Sequence, residues 1–411
     1  MVKNKENKPN LLILGASGGV AQAFLHHLPE HREKFNQIIL LDQKKSVQKN
    51  KFIDHHALKY QFIHLRLTSK NIETTYPKIL KTKKVNIVLD LTDYDSTLLL
   101  NKTNTLNVSY INTSLNSEEK TVYELVSDIN QDKSKINAPH ILCSGMNPGV
   151  VNMWVATAIK EHGKPISITH FEYDTSHPST EWHPTITWSK HEFIVEAVRD
   201  PSGYMLKKNK LKELYPNALM HTHSMKNILH PIWKLPQYPI GLTVLHEENV
   251  TCSNKYNIPS RFYYAIDQRT EKILQKQYHK NQTITEQILK LGDNTKRVLD
   301  GSDNIGVLLI YPTKRIYYFN SMSNVPIIGT NATYTQVIVG IFAALFTIMF
   351  DNLKNKKYYV EDLETTRYKK YVFDNLRVQK YIFNRKKDKL LKYIPEIKIR
   401  STSKSPSIFF R

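Results

Sequence analysis

The chain has 411 residues, a formal net charge of +21, 40% hydrophobic and 10% aromatic residues. This length exceeds a single ordinary hydrophobic core, so we expect two domains. Two cysteines exclude a disulfide framework and, with a polar N-terminus that lacks the apolar segment of a secretory signal, predict a cytoplasmic protein. The lysines are scattered, without zinc-finger spacing or a recurring basic helix, so we expect no nucleic-acid partner.

The first motif is a glycine turn between an apolar strand and an apolar helix. Leu11–Leu14 predicts a buried strand, and a helical pattern follows the turn. Strand, glycine turn and helix in this order predict a dinucleotide site, with the phosphates at the helix N-terminus. We expect the cofactor to contact Gly15, Ser17, Gly18, Gly19 and Val20.

An acidic residue ends the second predicted strand. Gln37–Leu41 is apolar and Asp42 follows it, close to the ~20-residue spacing at which an acid binds the adenosine ribose. A carboxylate there would repel a 2′-phosphate, which favours NAD over NADP, although Lys44 and Lys45 weaken that preference. The alternative is an ordinary strand–helix unit without a cofactor.

Three further predicted strands end in polar residues. They are Lys84–Leu91, Val108–Thr113 and His140–Ser144. Ligands of open parallel sheets lie at the carboxyl ends of strands, which makes Asp90, Thr92 and Thr113 candidate cofactor contacts. The alternative for each is a helix N-cap.

The segment Ser144–Lys160 predicts a turn that opens an apolar helix. Asn147 would cap the helix and Pro148 would lie in its first turn. A functional interpretation places Asn147 beside the cofactor at the crossover between domains.

Beyond residue 165 the pattern changes to strands. Alternation predicts strands at Ile166–Tyr173, Ile240–Thr251, Arg261–Ile266 and Gly306–Phe319, and Ser189–Val198 predicts a helix. The fold class is therefore α/β, with a Rossmann-type doubly wound parallel sheet and a second α+β domain built on a mainly antiparallel sheet. His221 and His223 could bind a metal ion, but no third ligand has suitable spacing, so we expect no metal site.

The apolar run Val337–Phe350 follows a plausible cap, Asn331. It is shorter than a ~20-residue membrane span, so we predict a buried helix that returns to the first domain and no membrane partner. A lysine- and arginine-rich tail begins at Tyr371. The predicted domains are 1–150 for NAD binding, 151–330 for substrate and catalysis, 331–370 for the returning helix and 371–411 for the basic tail.

Several segments between residue 11 and about residue 370 form an ordered set. Besides the glycine turn, they are Ser144–Val151, Thr187–Ser189 with Glu196, Leu245–Glu248, Asp303–Leu309 and Asn331–Thr333. In this order they resemble the homospermidine synthase family of the saccharopine dehydrogenase-like superfamily.

This resemblance implies a cytoplasmic, homodimeric enzyme that uses NAD as a bound redox relay. It would join two putrescine units, or putrescine and spermidine, into homospermidine and release ammonia. The resemblance places Trp188 against the substrate cation and Glu196 and Glu248 on ammonium groups. It also places His246 near the reacting carbon and Asn147 near the nicotinamide or substrate.

The residue chemistry agrees with an amine substrate, and alternatives stay open. Tryptophan is the best cation–π partner, and Glu192 and Glu196 share a predicted helix face. The unperturbed pKa of histidine lies near neutrality, which favours His246 as the acid and base. The alternatives are a saccharopine dehydrogenase-like NAD(P)-dependent amine or amino-acid oxidoreductase, a scaffold without chemistry, and a membrane-associated protein.

Overall fold

Two large sheets organise the chain in a computed structural model that describes residues 8–293 and 298–399. The strands are β1 Asn10–Leu14, β2 Gln37–Asp42, β3 Gln61–His64, β4 Ile87–Asp90, β5 Ser109–Asn112, β6 His140–Leu142, β7 Ser167–Asp174, β8 His177–Pro178, β9 Thr185–Ile186, β10 Ser202–Leu206, β11 Lys210–Tyr215, β12 Thr222–Ser224, β13 Ile240–Val244, β14 Ser260–Ala265, β15 Lys290–Leu291, β16 Leu299–Asp300, β17 Ser302–Ile310, β18 Lys314–Ser323, β19 Lys357–Tyr359, β20 Gln379–Asn384 and β21 Leu390–Ile394. The helices are α1 Gly19–His27, α2 His55–Leu58, α3 Ser69–Thr82, α4 Ser96–Asn104, α5 Val122–Gln131, α6 Val150–His162, α7 Lys190–Ile194, α8 Lys226–Leu229, α9 Glu247–Tyr256, α10 Gln268–Asn281, α11 Ala332–Phe350 and α12 Arg367–Asn375.

The first sheet has seven strands in the order β19-β6-β5-β4-β1-β2-β3. Every pairing in it is parallel. Strand β1 is buried along its whole length and lies between β2 and β4, where the order of the strands reverses. This reversal opens a crevice above the carboxyl end of β1, the usual ligand site of such sheets. The predicted Rossmann-type sheet is confirmed.

The second sheet has ten strands and is mainly antiparallel, as predicted. Its main path is β11-β10-β14-β7-β17-β18-β20-β21, and β13 with β12 branches from β14. Only β14 and β7 pair in parallel among the strands assigned to this sheet in the described ranges. Strands β7 and β17 form its buried centre, because both carry near-continuous buried runs.

Two local predictions are wrong. The predicted strand Ile240–Thr251 ends at Val244, and α9 begins at Glu247. Asn147 does not cap α6, because that helix begins at Val150 with Gly149 as its N-cap. Gly149 has a φ of 131°, and a Cβ there would lie 2.4 Å from the oxygen of Gly145, so only glycine fits this turn.

Between Tyr371 and residue 399 the chain is part of the folded protein and does not form a separate tail. Tyr371 lies inside α12, and β20 pairs with β18 from Gln379 to Asn384, while β21 pairs with β20. Phe383 is buried in the core of the second sheet. The sequence pattern did not predict this burial because lysines surround Phe383 along the chain. Residues 400–411 of the predicted tail lie outside the described residues.

Helix α11 links the two sheets. The side chain of Asn331 caps it by accepting the N–H of Tyr334 at 2.8 Å, as the sequence predicted. The helix packs against α1, α12, β5, β17 and β18. By length and composition alone α11 would suit a membrane span, yet 72% of its most apolar window is buried inside the protein.

We predict that Gly340→Ala destabilises the protein. Alanine normally stabilises a helix interior by about 1 kcal/mol relative to glycine. Here the new Cβ would lie 2.3 Å from the oxygen of Gly145 and 2.7 Å from that of Ser144. We therefore expect a loss of about 1–3 kcal/mol in the free energy of unfolding, measured by urea denaturation. Phe350→Ala, at the more exposed end of the same helix, is the control and should cost less.

Candidate active site

A single cavity of about 770 Å³ runs from the carboxyl ends of the first sheet to the second sheet. One wall is formed by the glycine turn and the ends of β2, β4 and β5. The opposite wall comes from the segment around α7, from the start of α9 and from β7 and β14. The cavity is therefore long enough to bring a nucleotide and a second ligand together.

The glycine turn has the geometry of a phosphate cradle. Gly15 has a φ of 72°, and a Cβ there would lie 2.4 Å from the oxygen of Leu91. The N–H of Gly18 donates to the oxygen of Gly15 at 2.9 Å, and α1 begins at Gly19. The N-terminal N–H groups of a helix have no helical acceptor and attract anions. Ser17 and Val20 also line this part of the cavity.

Asp42 faces the same part of the cavity and is held rigidly. Its Oδ2 accepts the N–H of Ser17 at 2.8 Å, and its Oδ1 accepts the N–H of Lys44 at 2.7 Å. A carboxylate oxygen can accept two hydrogen bonds, so both oxygens keep a lone pair for ribose hydroxyls. Lys44 and Arg66 line the cavity nearby. These residues fit a bound dinucleotide.

Asp90 lies behind the cavity wall rather than in it. Its Oδ1 accepts the hydroxyl of Thr92 at 2.7 Å, and its Oδ2 accepts that of Tyr110 at 2.6 Å. Burial raises the pKa of Asp90 to about 6. The structure therefore does not place Asp90 in the cavity lining, where the predicted cofactor contact requires it, because its oxygens bind Thr92 and Tyr110 behind the wall. Thr92, which Asp90 orients, and Thr113 line the cavity.

His246 lies at the junction of β13 and α9 among three carboxylates. Its Nε2 lies 3.3 Å from Oε1 of Glu196, and its Nδ1 lies 3.3 Å from Oε2 of Glu247 and in contact with Glu248. Burial lowers the pKa of His246, but the charges of Glu248, Glu196 and Glu247 outweigh it and raise the pKa well above its ordinary value. The three carboxylates thus favour the protonated imidazolium form of His246 over the neutral ring.

Glu248 does not face the cavity. Its side chain is fully buried, and one oxygen contacts Nδ1 of His246. Burial raises the pKa of Glu248, but the adjacent His246 lowers it more, so the net direction is down. The structure does not place Glu248 in the cavity lining, where the predicted contact with a substrate ammonium group requires it. Glu248 orients His246 instead.

Glu247, which the sequence did not single out, lines the cavity. Its Oε1 accepts the N–H of Leu115, from the loop after β5, at 2.7 Å. Burial raises the pKa of Glu247. Ligand atoms of His246, Glu247 and Glu248 lie within 4.8 Å of one another, a spacing that a metal ion could use. The contacts of Nδ1 with both carboxylates account for that spacing without an ion.

An acidic wall extends along α7 and the π-helical turn Val195–Arg199 that continues it. Glu192, Glu196 and Asp200 all line the cavity. Burial, with the charges of neighbouring acids, raises the pKa of Glu192 to about 8 and that of Asp200 to about 7. Trp188 lies beside this wall, where its Nε1 donates to the hydroxyl of Tyr264 at 2.9 Å.

A second acidic group lies at the inner end of the cavity, on the second sheet. Glu172 of β7 lines the cavity, and the amide of Asn147 donates to it. Burial and the charges of Asp303 and Asp174 raise the pKa of Glu172 well above its ordinary value. Burial also raises the pKa of Asp303 to about 8. The signal that could have identified Glu172 is a carboxylate inside the predicted strand Ile166–Tyr173, which alternation assigned to the second domain.

The structure brings most of the predicted site residues to one cavity, and Asp90 and Glu248 lie behind its wall. The predicted residues that line it are Gly15, Ser17, Gly18, Gly19, Val20, Asp42, Thr92, Thr113, Asn147, Trp188, Glu196 and His246.

Residues 11–143 match the family model of the saccharopine dehydrogenase NADP binding domain. This part of the chain is thus similar to a nucleotide-binding domain. No curated protein sequence matches the chain significantly.

Two solved structures share the fold over most of the chain. The homospermidine synthase of Legionella pneumophila, in complex with NAD, is 18% identical with a TM-score of 0.70, over 89% of this chain and 88% of that one. The apo saccharopine dehydrogenase (L-Glu forming) of Saccharomyces cerevisiae is 12% identical with a TM-score of 0.60, over 91% of this chain and 99% of that one. The fold that the resemblance implied is confirmed, and the residues that match the family model include the nucleotide wall of the cavity.

We predict that Glu192→Gln raises the melting temperature relative to wild type at high pH but not at low pH. The ordinary glutamate pKa of 4.5 is raised to about 8 in the folded protein. Wild-type stability from this group is complete below pH 4.5 and is lost as pH rises through about 8. Glutamine does not ionise, so the variant should melt at a higher temperature than wild type above pH 8 and show no such gain below pH 4.5.

Differential scanning fluorimetry across this pH range measures the effect. Glu213→Gln, which changes an exposed carboxylate on β11, is the matched control and should show no such trend. A Glu192→Gln variant whose melting temperature follows wild type at every pH would contradict the raised pKa.

Proposed function

We propose that this protein is a homospermidine synthase-like enzyme that uses NAD as a bound redox cofactor. It would condense two putrescine units, or putrescine and spermidine, into homospermidine and release ammonia. The observation that carries the proposal is the acidic wall of a cavity that also contains a nucleotide cradle. The likeness in fold to a homospermidine synthase crystallised with NAD supports it. We further propose that the enzyme works as a cytoplasmic homodimer.

The charge of the cavity suits a dication. The whole chain carries a net charge of +21, yet five acids line this cavity on the side opposite the nucleotide cradle: Glu172, Glu192, Glu196, Asp200 and Glu247. Several of them have raised pKa values, because burial disfavours ionised carboxylates that lack a partner. A bound diammonium ligand would supply that partner, with charge-assisted hydrogen bonds to the carboxylates.

The cofactor end favours NAD. Asp42 presents a fixed carboxylate where a 2′-phosphate of NADP would approach, and like charges repel there. The glycine turn and the N-terminus of α1 would hold the pyrophosphate. When bound, NAD supplies a reversible hydride acceptor, which allows a reaction with no net redox change.

The remaining side chains bind and orient the amine. The indole of Trp188 offers a cation–π surface of roughly 0.5–2 kcal/mol. Glu196 and Glu192 would bind one ammonium group, and Glu172, held by Asn147, would bind the inner one. The Nδ1 side of His246 is occupied by Glu247 and Glu248, so the proton available to the cavity is on Nε2. That proton would be donated to the nitrogen that leaves as ammonia.

An alternative is a saccharopine dehydrogenase-like NAD(P)-dependent oxidoreductase that acts on an amine or amino acid. The likeness to the yeast enzyme and the presence of Lys120 and Lys190 in the cavity lining favour it. An acidic substrate would, however, face the carboxylates of the acidic wall. The two functions differ in whether reduced cofactor accumulates.

We predict that the enzyme converts putrescine with catalytic amounts of NAD. Mass spectrometry should show homospermidine, an ammonia assay should show release in equal amount, and absorbance at the NADH band should not rise steadily. Steady accumulation of NADH without a new polyamine would support the oxidoreductase instead.

Two isosteric variants separate the roles of the acids in this assay. Glu196→Gln removes a charge that contacts the substrate and should raise KM for putrescine roughly tenfold or more, from about 1.5–3 kcal/mol of lost interaction. Glu248→Gln should mainly lower kcat and shift the acid pKa of the pH profile downward, because it removes the partner of His246. Glu213→Gln is the control for charge alone, and equal effects of all three would contradict these roles.

We predict that Asp42→Ala reduces the preference for NAD. The variant should bind NAD more weakly than wild type by calorimetry, with a smaller change for NADP, because ribose hydrogen bonds are lost while repulsion of the 2′-phosphate is relieved. Equal affinity of the wild type for the two cofactors would contradict the role of Asp42.

A further inference from the structure

Two histidine side chains face each other on the second sheet, and neither lines the active-site cavity. His221 precedes β12 and His223 lies within it, so the two residues project from the same face of the strand. Their Nε2 atoms lie 3.1 Å apart. Two nitrogen ligands of one tetrahedral zinc ion, each at 2.0–2.1 Å, lie about 3.3 Å apart. The sequence predicted no metal site here because a third protein ligand is missing, and none joins the pair among the described residues. We nevertheless propose that this pair, with water in the remaining positions, binds one divalent transition-metal ion, a site outside the proposed function.

The hydrogen bonds around His221 fix which nitrogen carries the proton. The hydroxyl of Ser202 donates its single hydrogen to the oxygen of Thr243 at 2.8 Å. Ser202 Oγ therefore accepts at its 2.9 Å contact with Nδ1 of His221, so Nδ1 carries the hydrogen. In the neutral ring this leaves the lone pair on Nε2, which points at His223. A second hydrogen bond of this kind is the usual way in which proteins orient a metal-binding histidine.

Both rings are also held by aromatic neighbours. Tyr215 of β11 stacks on His221, with ring centroids 4.4 Å apart, and Tyr263 of β14 meets His223 edge-on at 5.4 Å. The backbone of His223 pairs with Gly241 on β13. Little side-chain freedom remains to be lost on binding, which favours affinity.

The ligand chemistry selects the class of ion. Neutral imidazoles suit Zn²⁺, Co²⁺, Ni²⁺ and Cu²⁺, whereas Mg²⁺ and Ca²⁺ prefer oxygen. His223 is exposed, so water can complete the coordination shell. The competing explanation is a plain hydrogen bond from Nε2–H of His223 to Nε2 of His221, which the experiment distinguishes.

The test is a titration of the chelator-treated, full-length protein with Co²⁺ and with Zn²⁺. Isothermal calorimetry should show one site that is lost in His223→Asn, and the visible spectrum of Co²⁺ should lose the bands of that site. Ser202→Ala should keep the site but weaken it roughly tenfold to a hundredfold, since it removes the group that orients His221. His279→Asn, which removes an exposed histidine of α10, is the matched control and should bind as wild type does.

Equal stoichiometry and affinity in wild type and His223→Asn would overturn the proposal and leave the hydrogen bond as the explanation. A Ser202→Ala variant that binds as wild type does would overturn the assigned orientation of His221. Neither readout depends on amine chemistry, so these outcomes are separate from the success or failure of the proposed function. His223→Asn should also leave the putrescine reaction unchanged.

Discussion

An excess of buried carboxyl groups over buried cations is the constraint on which the active-site region depends. An unpaired buried charge is expensive, so each acid must be protonated, paired or hydrogen-bonded. His246 is the one cation that the described residues place among Glu196, Glu247 and Glu248. The acids that it does not reach have raised pKa values, as expected for buried carboxyl groups without a cationic partner.

The same constraint ties the two sheets together. Glu247 accepts the N–H of Leu115 from the nucleotide side while its other oxygen lies near His246. Helix α11 packs against strands of both sheets, and it binds the second part of the chain through Gln336, which donates to Asp303 at 2.9 Å, and its N-cap Asn331, which donates to the oxygen of Thr187 at 2.6 Å. Polar contacts that satisfy buried groups thus also fix the distance between the nucleotide wall and the acidic wall.

Residues of the same chemical type have different roles in this site because they lie at different positions relative to the cavity. Glu196 and Glu248 both contact His246, yet only Glu196 lines the cavity, so one acid can bind a ligand and the other can only orient the histidine. Asp42 and Asp90 end β2 and β4, the two strands that flank β1 in the first sheet. Asp42 faces the cavity, whereas the oxygens of Asp90 accept hydrogen bonds from the hydroxyls of Thr92 and Tyr110 behind the wall. The net charge of +21 does not predict which acids line the cavity, because it is a sum over the whole chain.

The sequence by itself determined the features that depend on neighbours along the chain. The strand and glycine turn before α1, the acid at the end of β2 and the Asn331 cap follow from local sterics and hydrogen bonding. Only the tertiary structure decided which distant side chains share a buried space. Strand pairing places Glu172 in the site. Three carboxylates raise the pKa of His246. Strands β20 and β21 belong to the second sheet, although their lysines mask the strand pattern in the sequence. Burial and interatomic distance determine pKa values and access to the cavity, and both arise from contacts between residues that are far apart in the sequence.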